Sequence, residues 1–249
     1  MTYKAVRVFP HKDPIDVGSF LGLGESLEIS AARIKELLTP YLTEERRERI
    51  RAVVSERTYT VVPVMEGIHD LGNVAAVLRS AEGLGFQEAH IIDTQPKHKT
   101  SRRITQGADK WLDVHRWDQP GRCISALKDR GYAICVTHLE AAVPIEEIDF
   151  TQPTAVVFGN ELDGVTEEMV ESADMRCIIP IRGFVQSYNI SVAAALALYE
   201  ARRQRVDALG GQGDLSPEER EILEAYDYIR AVSSAKQLLP EVWRREQEQ

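Results

Sequence analysis

Apolar and polar positions change period along the chain. Up to about residue 57 the period is helical: Ala31–Leu38 carries a short apolar face ended by Thr39-Pro40, and residues 43–57 place Ile50, Val53 and Val54 on one side. From about 58 to 205, β-rich runs at 59–65, 89–93, 132–136, 154–158 and 177–181 alternate with helical stretches at 74–84, 124–130, 166–172 and 190–205. Such alternation predicts an α/β fold, a mainly parallel sheet with helices on both faces. Pro63 has no N–H to give a ladder, so the first run is expected at an edge or with a bulge. Past Arg205, Gly210-Gly211-Gln212-Gly213 reads as a flexible link. Ser216-Pro217-Glu218-Glu219 is a capping box with proline at the first helical position, and Ile222, Tyr226 and Ile229 then mark an amphipathic helix over 217–233. The expected organisation is a helical extension at 1–57, an α/β domain at 58–205 and a second helical extension at 206–249.

Composition narrows the class. A chain of 249 residues can bury a sizeable core, and 43% hydrophobic with 28% charged residues is ordinary for a globular protein. No apolar run approaches the roughly 20 residues that cross a bilayer. The start, Met1-Thr2-Tyr3-Lys4-Ala5-Val6-Arg7, lacks the apolar core of a signal peptide, so a cytoplasmic protein with no membrane partner is expected. Cys123, Cys135 and Cys177 form no CxxC pair, which argues against a disulfide framework or a metal site.

The net charge of −9 is distributed unevenly. Residues 206–249 carry ten acidic and five basic groups and read as a solvated acidic tail. Nucleic-acid binding depends on a local basic face rather than on the total. Two candidates exist. Arg46, Arg47, Arg49, Arg51 and Arg57 form one, with pairing to Glu44, Glu45 and Glu48 as the plain alternative. Lys97, Lys99, Arg102 and Arg103 form the other; with His98 they place five basic side chains in seven residues without an acid, which suits phosphate contact.

The glycine fingerprints of common nucleotide-binding folds are missing. Gly22-Leu23-Gly24 lacks the third glycine and a preceding strand, and residues 159–164 lack the lysine of a phosphate loop. Three other segments lie at the carboxyl ends of expected strands, where open α/β sheets place ligands. The first is His69-Asp70-Leu71-Gly72-Asn73-Val74-Ala75-Ala76-Val77-Leu78-Arg79, in which Asn73 opens a helix and Arg79 follows nearly two turns later. The second, Phe158-Gly159-Asn160-Glu161-Leu162-Asp163-Gly164, runs from a strand into a glycine turn with a carboxylate. The third is Ile178-Ile179-Pro180-Ile181-Arg182-Gly183-Phe184-Val185-Gln186-Ser187-Tyr188-Asn189, a strand and loop leading into a helix with Ala193, Ala194, Ala195 and Ala197. Singly, each has a bland reading: Asn73 as an N-cap with Arg79 on the surface, Glu161 as a capping acid, Asn189 or Ser187 as a cap.

Together, in this order, the three segments resemble the signature motifs of the SpoU/TrmH family of RNA 2′-O-methyltransferases, over about residues 43–205. The resemblance implies an α/β domain with a trefoil knot on its C-terminal side, S-adenosyl-L-methionine bound in the knot, and a homodimer. Matched residue by residue, it implies a catalytic set of Asn73, Arg79, Glu161, Ser187 and Asn189. It implies cofactor binding around Thr137, His138, Leu139, Gly159, Ile179, Ile181, Ser187 and Tyr188. RNA contacts are expected from Arg46, Arg47, Lys97, Lys99, Arg102 and Arg103. Helical extensions at both ends point, within the family, to tRNA and the D-loop guanosine at position eighteen. Alternatives are ribosomal RNA, the tRNA wobble ribose, or a knotted protein that binds RNA without turnover; DNA is not an expected partner. A methyl donor that carries its own electrophile requires neither a metal nor a covalent nucleophile.

Overall fold

The structure, a computed structural model, describes residues 9–93, 110–138, 142–160 and 163–247. Two compact units result: Thr58–Gln212, and Phe9–Arg57 together with Gly213–Gln249.

The helical unit begins with strand β1 (Ile15–Asp16), helix α1 (Val17–Leu21), β2 (Glu28–Ile29), α2 (Ala31–Leu38) and α3 (Glu44–Ser55). The Asp16 carboxylate accepts the Ser19 and Leu27 amides at 3.0 and 3.1 Å, capping α1 and closing the β1–β2 turn. Ser30 and Thr43 cap α2 and α3 by accepting the Arg33 and Arg46 amides.

The α/β unit runs β3 (Val61–Glu66), α4 (Leu71–Gly83), β4 (Glu88–Ile92), β5 (Asp113–Trp117), α5 (Pro120–Asp129), β6 (Ala133–Thr137), β7 (Val143–Pro144), β8 (Thr154–Phe158), α6 (Glu167–Ser172), β9 (Met175–Ile178) and α7 (Ile190–Leu209). Helices α8 (Pro217–Ala231) and α9 (Ala235–Gln247) complete the helical unit. There Lys35 pairs with Glu224 at 2.6 Å and Arg33 with Glu246 at 2.5 Å. The acidic C-terminal stretch is therefore helical and partly neutralised, not the solvated tail its charge suggests. The capping box at Ser216 and Glu219 forms as expected.

Seven strands make one sheet in the order β5-β4-β3-β8-β6-β9-β7, every neighbouring pair parallel. Strands β3, β4 and β8 are buried along their whole length, as parallel strands covered on both faces must be. Alternate residues feed two cores. Val61, Met65, Val156 and Phe158 face Val77, Leu78, Ala194 and Leu198 of α4 and α7. Val62, Val64, Ala155 and Val157 join Cys123 and Leu127 of α5 and Met169 of α6.

Some expectations fail for physical reasons. Pro63 lies in a central strand, opposite Val156 of β8, and not at an edge. Toward β4 the pairing breaks between Thr58, opposite Phe86, and Val64, opposite His90, with a shift of register, so Pro63 sits in the bulge that its missing donor suggests. Strands β5 and β7 have no counterpart among the expected runs: β5 is a half-exposed edge with a polar sequence, and β7 is two residues long. The glycine link is open at Gly210 and Gly211 and closely packed at Gly213. Gly210 ends α7 in the left-handed region, and a Cβ on Gly213 would meet the Ser55 carbonyl oxygen at 1.9 Å.

A buried ion network ties β4, β5 and the end of α5. The wholly buried Glu88 carboxylate takes Arg130 through both oxygens at 2.5 and 2.7 Å, with His90 and His115 at 3.0 and 3.2 Å. Burial alone would raise the Glu88 pKa, but hydrogen bonds from Arg130 and His115, with His90 close by, outweigh it and hold it well below the carboxylate range. The Glu88 bond raises the pKa of His115, whereas burial lowers that of His90. Glu88→Gln leaves Arg130 half-paired and is expected to cost about 3 kcal/mol in urea unfolding. A depressed carboxylate pKa stabilises the fold above the unfolded value near 4.5 and loses that contribution as pH falls toward the folded one. The gap between wild type and Glu88→Gln should therefore narrow in acid. The His115 share has the opposite sign and fades as pH rises past 6.5. A gap that does not change with pH contradicts this assignment.

Candidate functional site

The site is built where β3, β8, β6 and β9 end side by side. Register pairs Met65 with Phe158, Val136 with Val157, and Thr137 with Cys177, so the loops leaving these strands emerge together. Thr137 Oγ donates to the Val157 carbonyl at 2.9 Å, and the His138 amide to that of Cys177 at 3.0 Å. These bonds bring Thr137, His138, Gly159 and the residues entering Ile179 to one end of the sheet. Ile179, Ile181 and Tyr188 are half-buried, and Ser187 is exposed.

The loop after β8 is a closed ring. Asn160 and Gly164 exchange two backbone hydrogen bonds of 2.8 and 2.9 Å. Gly164 turns at φ 71°, and a Cβ on Gly159 would lie 2.3 Å from the Gly164 carbonyl carbon. Glycine is thus required at 159 by close backbone approach and at 164 by the left-handed turn. The Asn160 side chain donates to the Gly67 carbonyl at 2.8 Å, pinning the ring to the end of β3. The buried Glu66 carboxylate accepts both the Thr166 amide at 3.0 Å and its hydroxyl at 2.7 Å, fixing where α6 begins. Sequence reasoning missed Glu66, Asn160 and Thr166. The one available signal was a carboxylate closing an otherwise apolar strand.

Helix α4 starts at Leu71, its cap Asp70 accepting the Gly72 amide at 2.7 Å. Asn73 is therefore not the cap but lies in the first turn, and its Oδ1 accepts from Asn189 Nδ2 at 3.2 Å. Asn189 is the α7 cap, accepting the Ser191 amide at 2.9 Å and hydroxyl at 2.6 Å. The first and third sequence segments thus meet through this asparagine pair. Arg79 is exposed on α4 and lines a groove of about 640 Å³ with Ser191, Val192, Leu196 and Tyr199 of α7.

Glu161, Leu139, Lys97, Lys99, Arg102 and Arg103 lie outside the described residues. In the helical unit Arg47 and Arg51 both pair with Glu44, the Arg51 bond at 2.8 Å, which favours the plain reading for those two arginines. Among the described residues no group of three or more histidine, cysteine or acidic side chains is placed to hold a metal ion, and no helix is long and apolar enough to cross a membrane.

Comparison with known proteins places these features in context. The model of the SpoU rRNA Methylase family matches residues 60–199. The Aquifex aeolicus protein named tRNA (guanosine(18)-2′-O)-methyltransferase is 34% identical over 208 residues, covering 82% of this chain and 99% of that one. The crystal structure of the A. aeolicus TrmH/SpoU tRNA modifying enzyme matches with a TM-score of 0.66 at 35% identity, over 74% of this chain and 96% of that one. The AdoMet-bound rRNA methyltransferase from Sinorhizobium meliloti matches with a TM-score of 0.53 at 25% identity, over 62% of this chain and 59% of that one.

The ring geometry makes a direct prediction. Gly159→Ala should break the Asn160–Gly164 pairing and speed amide exchange at both positions about tenfold, the equivalent of one or two hydrogen bonds. Unchanged exchange would mean that the ring accommodates a methyl group.

Proposed function

This chain belongs to the SpoU methylase family, and we propose that it is an S-adenosylmethionine-dependent RNA 2′-O-methyltransferase acting on tRNA, at the ribose of the D-loop guanosine at position eighteen. The observation that carries the reading is the convergence of three separated segments at adjoining strand ends, joined by the Asn73–Asn189 and Asn160–Gly67 bonds. The tRNA substrate rests on the Aquifex relative's name and on near-complete coverage of its length. The family description and the Sinorhizobium structure both name rRNA, which makes ribosomal RNA the second reading.

On this reading the loops after β6, β8 and β9 form the family's trefoil knot and hold the cofactor. The residues suit a nucleoside cofactor: half-buried Ile179, Ile181 and Tyr188 offer apolar and aromatic surface beside the polar Thr137, His138 and Ser187. Thr137, His138, Leu139, Ile179, Ile181, Ser187 and Tyr188 are the proposed contacts. The cofactor supplies an electrophilic methyl group when bound. The protein aligns the ribose hydroxyl and excludes water. The Arg79 guanidinium offers a planar fork of N–H donors and no acceptor. It therefore clamps a substrate phosphate and stabilises developing negative charge on the ribose oxygen, while a phosphate oxygen takes the proton. Asn73 and Asn189 join the first turn of α4 to the start of α7, and Glu161 and Ser187 are the remaining proposed catalytic residues. Lys97, Lys99, Arg102 and Arg103 are the proposed phosphate contacts; Arg46 adds to them, and Arg47 does so only by leaving Glu44.

The α4–α7 face is proposed to receive a second copy of the chain. Val192, Leu196 and Tyr199 are 46%, 42% and 59% exposed beside Arg79 on this face, an apolar strip next to a catalytic residue. Light scattering at micromolar concentration should give twice the 28.0 kDa chain mass; a stable monomer contradicts the dimer.

The substrate is tested by incubating tRNA and rRNA with enzyme and labelled cofactor, then identifying the methylated nucleoside by mass spectrometry. 2′-O-methylguanosine from tRNA is expected; label only in rRNA, or in a base, overturns the assignment. In single-turnover assays, Arg79→Ala should lower methyl transfer at least about a hundredfold while cofactor affinity stays within a few fold. Arg79→Lys should fail as well, because a point charge does not reproduce the planar fork. Near-normal turnover would remove Arg79 from the chemistry, and lost cofactor binding would make its role structural.

A further inference from the structure

We propose that Phe184 is a stacking platform for a nucleobase of the RNA substrate, an inference that rests on the RNA reading above. Its ring is fully exposed, with a relative accessibility of 110%, and residues 182–187 are all exposed around it. The stretch is held at both ends. Cys177 is buried in β9 at one end; at the other, Ile190 is buried and Asn189 caps α7 while donating to Asn73. A fixed stem therefore presents a bare aromatic ring, and the stem is bonded to the first turn of the helix that carries Arg79.

The neighbouring residues indicate what the ring meets. A protein interface needs contiguous apolar area at its core. Here the apolar tip is only Phe184 and Val185, flanked by Arg182, Gln186 and Ser187. An unpaired nucleotide matches that set: a π-face for the ring, base edges for an amide and a hydroxyl, and a phosphate for a guanidinium. A ribose hydroxyl within a folded RNA becomes reachable when its nucleotide leaves the stack, and the exposed base then needs a new surface to cover it. Phenylalanine has no hydrogen-bonding group, so the platform favours an unstacked nucleotide without selecting the base.

The test measures binding of a full-length tRNA transcript to wild type, Phe184→Ala, Phe184→Leu and Phe184→Trp, with cofactor calorimetry and light scattering on each. Phe184→Ala should bind tRNA about ten- to a hundredfold more weakly, the range for losing one stacked base. Phe184→Trp should stay within about threefold of wild type and Phe184→Leu should recover little, because stacking needs a π-face. Cofactor affinity, oligomeric state and the salt dependence of binding should not change, since no charge is removed. Leucine performing as well as tryptophan reduces Phe184 to simple apolar packing and overturns the proposal. So does a Phe184→Ala chain with altered oligomeric state, which makes the occupant a second copy, or one that loses the cofactor. Wild type that does not bind tRNA overturns the RNA reading itself; normal wild-type binding with an indifferent Phe184→Ala overturns this proposal alone.

Discussion

The carboxylate of Glu66, buried at the end of β3, is the constraint from which the site follows. A buried carboxylate must fill its acceptor positions, and Glu66 takes the Thr166 amide and hydroxyl across to the start of α6. That link limits where the chain between β8 and α6 can run. The ring closed by Asn160 and Gly164 has to lie against the β3 end, where the Asn160 amide finds the Gly67 carbonyl. Since α4 leaves β3 a few residues later, the loop after β8 and the helix carrying Arg79 share one support. The Glu66 bonds add a charged link to the neutral Asn160–Gly67 bond and the β3–β8 ladder.

Much of this architecture is legible in the sequence because burial leaves a periodic mark. Strand β8 and helix α2 have the limits that their apolar periods suggest, and the Ser216 capping box forms where its residues stand. What escapes the sequence has a common cause: it depends on neighbours that only the topology supplies. Strand β5 holds Asp113, His115 and Arg116, a polar edge whose place is set by pairing with β4. Helix α9 has Pro240 inside it and carries mixed charge, so the stretch looks like a tail until Arg33 is placed opposite Glu246. The sequence suggests Asn73 as a cap, and only geometry shows Asp70 in that position and Asn73 turned toward Asn189.

The candidate site is legible in a different way. Its residue types were identified through resemblance to a family, whereas the reason they sit together is physical. Parallel strands in the order β3-β8-β6-β9 put four loop exits in a row, and a sheet covered on both faces leaves those exits as the place where a ligand is bound. Glycine at 159 lets the loop after β8 close on itself, its missing Cβ making room for the Gly164 backbone. The chemistry proposed for this end of the sheet asks little more of the protein than alignment and a fixed positive charge.

The central claim is that these four strand ends form a preorganised cofactor site within each chain. Isothermal calorimetry of the purified protein with S-adenosylmethionine tests it most directly. The account predicts saturable binding with one site per chain, without RNA present. No heat of binding and no saturation at millimolar cofactor would contradict it.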